Sequence, residues 1–198
     1  MKAIAFLIIT TAFLLFVFSP ASFGQETEIS QKEQRKLEKE KKKKEKEAVA
    51  LESQKVYANM LENKNYVFMG NSLSGDAGAV YSVTPKYNFL SVSGNQVVFQ
   101  FSFDGIVGWN GIGGITLKGE IDEYKFEPAK NTKKPMHVTA RIHANAHWGK
   151  PYFTLTVFEE GYASITMSVK SGTVNMNGQV VKPEDSGVYE GTEILIDR

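Results

Sequence analysis

Three histidines, His137, His143 and His147, fall within eleven residues, and clustered histidines hold metals or move protons. In a strand all three would face the polar side. His143 and His147 would then stand about 13 Å apart at about 3.3 Å per residue, too far to share one zinc with ligands at about 2 Å. Only a tight turn at "NAHWG" would join them, and no cysteine or carboxylate accompanies them at ligand spacing. The expectation is three solvent-facing histidines with no metal and no cofactor. Adjacent carboxylates occur at Asp122/Glu123, Glu159/Glu160 and Glu184/Asp185. Neighbours in a strand point to opposite faces, so none of these pairs reads as an acid–base couple; their expected role is to keep turns hydrated. No serine stands in a Gly-x-Ser-x-Gly elbow. No catalytic residue is assigned.

Aromatic residues beside loops are the other chemistry on offer. The stretch "GWNGIGG" (108–114) packs four glycines around Trp109. A phosphate-binding loop needs a helix after its glycines, whose N-terminus meets the anion. Here the chain continues into "ITLKGEIDEYKF", which alternates like a strand, and no Gly-Lys-Ser/Thr or third fingerprint glycine follows. The glycines are read as a tight bend between strands. Trp148 and Tyr152 lie in or beside a second loop, "HWGKP" (147–151). If the chain binds a ligand, the expected site is where the 108–114 and 143–151 loops meet, with Trp109, Asn110, Asn145, His147 and Trp148 as contacts. Rings supply area and polar groups set orientation, which suits a sugar or a peptide segment. For these aromatics, burial in the core is the favoured reading over ligand contact, because tryptophan is buried on average.

These loops need a scaffold, and the 198 residues supply one domain with attached segments. Net charge is only +1, so nothing overall points to nucleic acid. Cysteine is absent, which leaves no disulfide framework, thiolate metal site or lipid-modified cysteine. Residues 1–24 carry Lys2, an apolar run over 3–18, Pro20, and small residues Ser22 and Gly24 before Gln25. This is a signal-peptide pattern, so the expected location is periplasmic or extracellular, with no transmembrane segment after cleavage.

Residues 25–64 contain no glycine or proline after Gly24 and read as one charged helical arm from about Ser30 to Asn63. Ser30 and Glu33 form a capping-box pattern, and Glu28→Lys32, Glu38→Lys42 and Glu40→Lys44 are favourable i, i+4 pairs. Up to Glu47 the arm has only Leu37 to bury on this reading. From there Val49, Val56, Tyr57, Met60 and Leu61 recur at helical spacing and are expected to dock. The run Lys41, Lys42, Lys43 and Lys44 could touch anionic surfaces, but interspersed glutamates favour a solvated spacer.

From Tyr66 the period becomes two. Val97, Phe99, Phe101 and Phe103 share one face and Gln100, Ser102 and Asp104 the other. Similar alternation runs through 115–122, 137–145, 153–157 and 163–169, broken by turns such as "VSGNQ" (92–96). The expected fold of residues 65–198 is mainly β: eight to ten antiparallel strands with one wet face, as a β-sandwich or a partly closed meander barrel, with no second helix.

Three passages carry a resemblance: "YNFLSVSGNQVVFQF" (87–101), "GGITLKG" (113–119) and "GYASITMSVKSGTVNMNG" (161–178). From about Ala48 to Leu195 the chain resembles the exported bacterial proteins grouped as domain of unknown function 4251. That resemblance implies export and an all-β body, and carries no activity to transfer. The functional expectation is an exported envelope protein that binds a glycan, peptide or protein without catalysis. A hydrolase using loop carboxylates is the alternative.

Overall fold

One face of each long strand is apolar, and the chain hides those faces by rolling the sheet closed. The computed structural model describes residues 23–74, 79–102 and 113–192. Their strands are β1 (Asn65–Ser74), β2 (Val80–Ser82), β3 (Phe89–Ser93), β4 (Gln96–Ser102), β5 (Gly114–Glu127), β6 (Met136–Ala144), β7 (Tyr152–Val157), β8 (Tyr162–Val169) and β9 (Gly172–Val181). All pairings are antiparallel. β3 to β9 run as a meander, and β9 returns to pair with β1 from Val67↔Val181 to Ser74↔Asn175. β1 pairs with β3 along its first half and with the short β2 along its second. The result is a closed eight-stranded barrel with β2 as an extra strand. The expectation of a sandwich or partly closed barrel is corrected by the β1–β9 ladder, which leaves no open seam.

Register fixes what lies inside. Tyr66, Val92 and Val97 are cross-strand neighbours, as are Phe68, Leu90, Phe99 and Leu117. Val138, Leu155, Ile165 and Met176 continue the same face around the barrel. All are buried. Eight strands enclose just enough space for side chains to fill, and the interior is such a packed core.

Helix α1 (Phe23–Glu62) precedes the barrel. Ser30, expected as its N-cap, lies inside it, because no glycine or proline after Gly24 stops the helix from extending. Up to Lys44 the helix belongs to one compact unit, and from Glu45 to a second that holds the barrel. Residues 31–49 are exposed throughout. The helix stops as Lys64 turns left-handed (φ 52).

Of the expected docking stripe, Tyr57, Met60 and Leu61 pack against the barrel, whereas Val49 and Val56 do not. Met60 and Leu61 are buried and Tyr57 half-buried, but Val49 is 65% and Val56 47% exposed. The partly buried face runs through Ala50, Ser53, Gln54, Tyr57 and Ala58. Small and polar residues suit it because it meets loop backbone: Gln54 Nε2 donates to the Asn131 carbonyl (3.0 Å) and the Tyr57 hydroxyl to the Glu160 carbonyl (3.1 Å). Gly161 (φ 79) permits this approach, since a Cβ there would lie 2.5 Å from the Tyr57 ring.

Tyr124 fastens the helix end, its hydroxyl donating to the Leu61 carbonyl (2.6 Å). Burial raises its pKa from 10.0 to about 12, and burial also holds that of Tyr66 well above 10.0. A raised folded-state pKa gives stability that is whole below the unfolded value and lost as pH climbs through the folded one. Stability should therefore fall between about pH 10 and 12, with Tyr124 contributing on the order of 2 kcal/mol. Urea titrations across that range check this: Tyr124→Phe should flatten the alkaline loss, and an unchanged slope would refute it.

Two local departures matter for the outer surface. Gln100 and Ser102, expected on a wet face, are buried at 0% and 3% exposure. The chain also forms a second, one-turn helix, α2 (Pro183–Ser186), where none was expected.

Candidate functional site

Among the described residues the inner face of the barrel is one cluster of buried apolar side chains, and polar open surface lies on its wall. A groove of about 1340 Å³ runs along the outside of β5 and β6 and into the connection between β6 and β7. Strand alternation sends Lys118 and Glu120 of β5 outward, with Thr139, Arg141 and His143 of β6. A bulge between Ile121 and Glu123 inserts an extra residue, so Asp122 and Glu123 both line the groove. The sequence expectation that these neighbours point to opposite faces is corrected by this bulge.

Two cross-strand rows organise the floor. Gln96, Glu120 and His143 are register partners across β4, β5 and β6, and Gln96 Nε2 donates to Glu120 Oε1 (3.2 Å). Glu123, Arg141 and Tyr152 form the second row, with Arg141 Nε 3.4 Å from Glu123 Oε2. Lys118 pairs with Glu190 at the margin. Charges of both signs thus alternate beside Tyr152, whose ring is 47% exposed. Such a surface can hydrogen-bond a polyhydroxylated or peptide ligand and stack one of its faces.

The 145–151 connection closes one end of the groove and explains the two tryptophan readings in part. Asn145 Oδ1 accepts from the His147 N–H (3.1 Å), starting a 3-10 turn over Ala146–Trp148. That turn drives Trp148 into the core at 4% exposure, where its indole N–H has no hydrogen-bond partner among the described residues. His147 stays exposed, edge-on to Trp148 with ring centroids 5.2 Å apart. Among the sequence-selected contacts, Asn145 lines the groove, His147 is exposed on the same turn, and Trp148 is packed beneath it. Trp109 and Asn110 lie outside the described residues. In register, the end of β6 (His143, Ala144) lies opposite Glu120 and Gly119 and beside Gln96 and Val97 at the start of β4, rather than opposite the Ser102–Gly114 pair.

His137 Nδ1 is 3.2 Å from Thr156 Oγ1 on another part of the wall. Among the described residues no group of three His, Asp or Glu side chains is placed to hold a metal, and no helix is long and apolar enough to cross a membrane. Glu159, Glu160, Glu184 and Asp185 are exposed at turns. Sequence reading missed Glu120 and Arg141 as groove residues, and picked out Tyr152 as a loop-side aromatic without placing it among the contacts. Their outward alternation was visible; what marks them is their alignment across strands, which depends on register.

Fold and wall together define a small antiparallel barrel, solid inside, that presents a polar groove on its outer surface. The family model described as "Domain of unknown function (DUF4251)" matches residues 48–180, and the chain belongs to that family. Among solved structures it is similar to the crystal structure of a DUF4251 family protein from Bacteroides eggerthii DSM 20697. That likeness has 24% identity and a TM-score of 0.56, covering 71% of this chain and 92% of that one; it supports the fold alone. No curated protein matches the chain.

Proposed function

We propose that this is an exported cell-envelope protein that binds an envelope glycan or peptide, without catalysis, in the groove on β5 and β6. The leader-like residues 1–24 motivate the location. The observation that carries the binding reading is the pairing of a filled interior with an outer groove whose floor alternates Lys118, Glu120, Arg141 and His143 beside Tyr152. Its ligand is amphipathic: the exposed ring offers area, and the charged rows fix hydroxyl, amide or carboxylate groups.

The hydrolase alternative gains one observation, the bulge that brings Asp122 and Glu123 to one groove beside Glu120. One experiment separates the two. The exported form, with an intact mass beginning at Gln25, is titrated calorimetrically with soluble glycan fragments and short peptides of the envelope. Binding should saturate, weaken about tenfold in Arg141→Ala, which corresponds to about 1.4 kcal/mol, and leave the titrant chemically intact. Turnover abolished by Asp122→Asn would establish the hydrolase instead. Failure of every glycan and peptide to bind would overturn the groove reading, and retention of residues 1–24 would overturn the location.

A further inference from the structure

After α2 the chain passes through the left-handed Gly187 (φ 54) and crosses the outside of the barrel from the Pro85–Tyr87 turn, over β4, to β5. Among the described residues, what holds this strap is almost entirely its main chain. The Tyr189 N–H donates to the Lys86 carbonyl (2.9 Å). Gln100 Nε2 donates to the Tyr189 carbonyl (2.8 Å), and Gln100 Oε1 accepts from the Gly191 N–H (2.7 Å). A primary amide carries donor and acceptor in one plane, as a peptide group does. Gln100 therefore pairs with the passing backbone as a piece of strand edge would.

The receiving surface is set without help from the strap. The second N–H of the Gln100 amide goes to the Tyr87 carbonyl (3.1 Å), and its oxygen also accepts from Thr116 Oγ1 (2.9 Å). Those two bonds orient the amide, which is fully buried. Asn88, also buried, braces the same wall by donating to the Thr84 carbonyl (3.0 Å) and accepting from the Ser102 N–H (2.9 Å). By contrast the strap buries little side chain. Tyr189 is 53% exposed, touching the Tyr87 ring edge-on at 6.0 Å, and the Glu190–Lys118 ion pair is open to solvent. A segment held by a few hydrogen bonds, each worth about 0.5–1.5 kcal/mol net, over a wall oriented independently of it, is suited to exchange.

We propose that the wall around Gln100 is a peptide-recognition site, occupied here in cis by residues 189–191, that takes an extended aromatic–acidic–glycine segment of a partner protein. The strap itself defines the ligand chemistry: a ring for Tyr87, a carboxylate for Lys118, and a small residue at the buried Gly191 position. Main-chain bonds supply affinity and the flanking side chains select sequence, as in recognition by strand addition. The tethered strap competes at an effective concentration in the millimolar range, and so sets the threshold a partner must exceed. This site does not depend on the β5–β6 groove reading.

The test uses the full chain and the blocked hexapeptide Gly-Val-Tyr-Glu-Gly-Thr, the sequence of residues 187–192. In a chain carrying Gly191→Pro the strap loses the backbone N–H that meets Gln100 Oε1, while Gln100 itself is untouched. That chain should bind the peptide at least about tenfold more tightly than the unaltered chain, because the cis competitor is weakened. N-methylation of the peptide's second glycine, which removes the N–H that meets Gln100, should abolish binding. Absent binding, equal affinity for both chains, or indifference to N-methylation overturns the proposal. So does a dimer formed by strap exchange without peptide binding, which would make a second copy the occupant. Should the loosened chain not fold, the unaltered chain decides: peptide at about 10 mM, above the tether's effective concentration, should speed hydrogen exchange of the Gly191 amide. An unchanged rate overturns the proposal.

Discussion

Gly178→Ala should destabilise the barrel by about 3 kcal/mol or more, the upper range for forcing atoms into a packed site. Gly178 sits where β9 closes onto β1, opposite Gly70. A Cβ there would lie 1.9 Å from the Met69 carbonyl oxygen and 2.9 Å from the Gly70 Cα. Both are backbone atoms, so no side-chain rotation relieves the clash and the two strands must separate. Little slack exists to absorb this, because β1 already shifts register between Gly70 and Ser72 and a Cβ on Gly70 would meet Met176 Sδ at 3.0 Å. Gly94→Ala is the comparison. Gly94 has φ 60 with nothing within 4 Å of its would-be Cβ, so only left-handed strain of about 1–2 kcal/mol applies. Urea unfolding of both variants measures the difference. Equal losses would mean that the β1–β9 ladder does not close the barrel as described.

That closing ladder illustrates what the sequence could and could not disclose. Alternation told inside from outside correctly at Val97, Phe99, Val138 and Leu155, because each strand keeps one face in the core and the side-chain period is two. Closure joins Val67 to Val181, a relation between distant strands that leaves no local pattern. Gln100 read as solvent-facing for the same reason: what covers it arrives 89 positions later at Tyr189. Asp122 and Glu123 share a groove because of a bulge, and an alternating pattern does not announce an extra residue. Asn145 and His147 were legible as neighbours on a turn beside a tryptophan. That the turn would bury Trp148 follows from Asn145 capping it, a contact only the folded backbone displays.

Leu61→Ala should cost about 3 kcal/mol, within the range for truncating a buried leucine, while Val49→Ala should change stability by no more than about 0.5 kcal/mol. The two residues belonged to one apolar stripe on the sequence, yet their surroundings differ. Leu61 is fully buried beside Met60, and its own carbonyl receives the Tyr124 hydroxyl. Losing its side chain leaves a void against residues that the Tyr124 bond and the Tyr57–Gly161 contact hold in place, so collapse into the space is restricted. Val49 is 65% exposed, and its truncation removes surface already in water. Deleting residues 25–46 should likewise leave the barrel's stability nearly unchanged, since 31–46 are exposed throughout. Denaturant melts of the two point variants and the deletion test this together. A Val49 loss comparable to that of Leu61 would mean that docking extends along the helix beyond its last turns. A small Leu61 loss would mean that the helix end can leave the barrel without exposing its core.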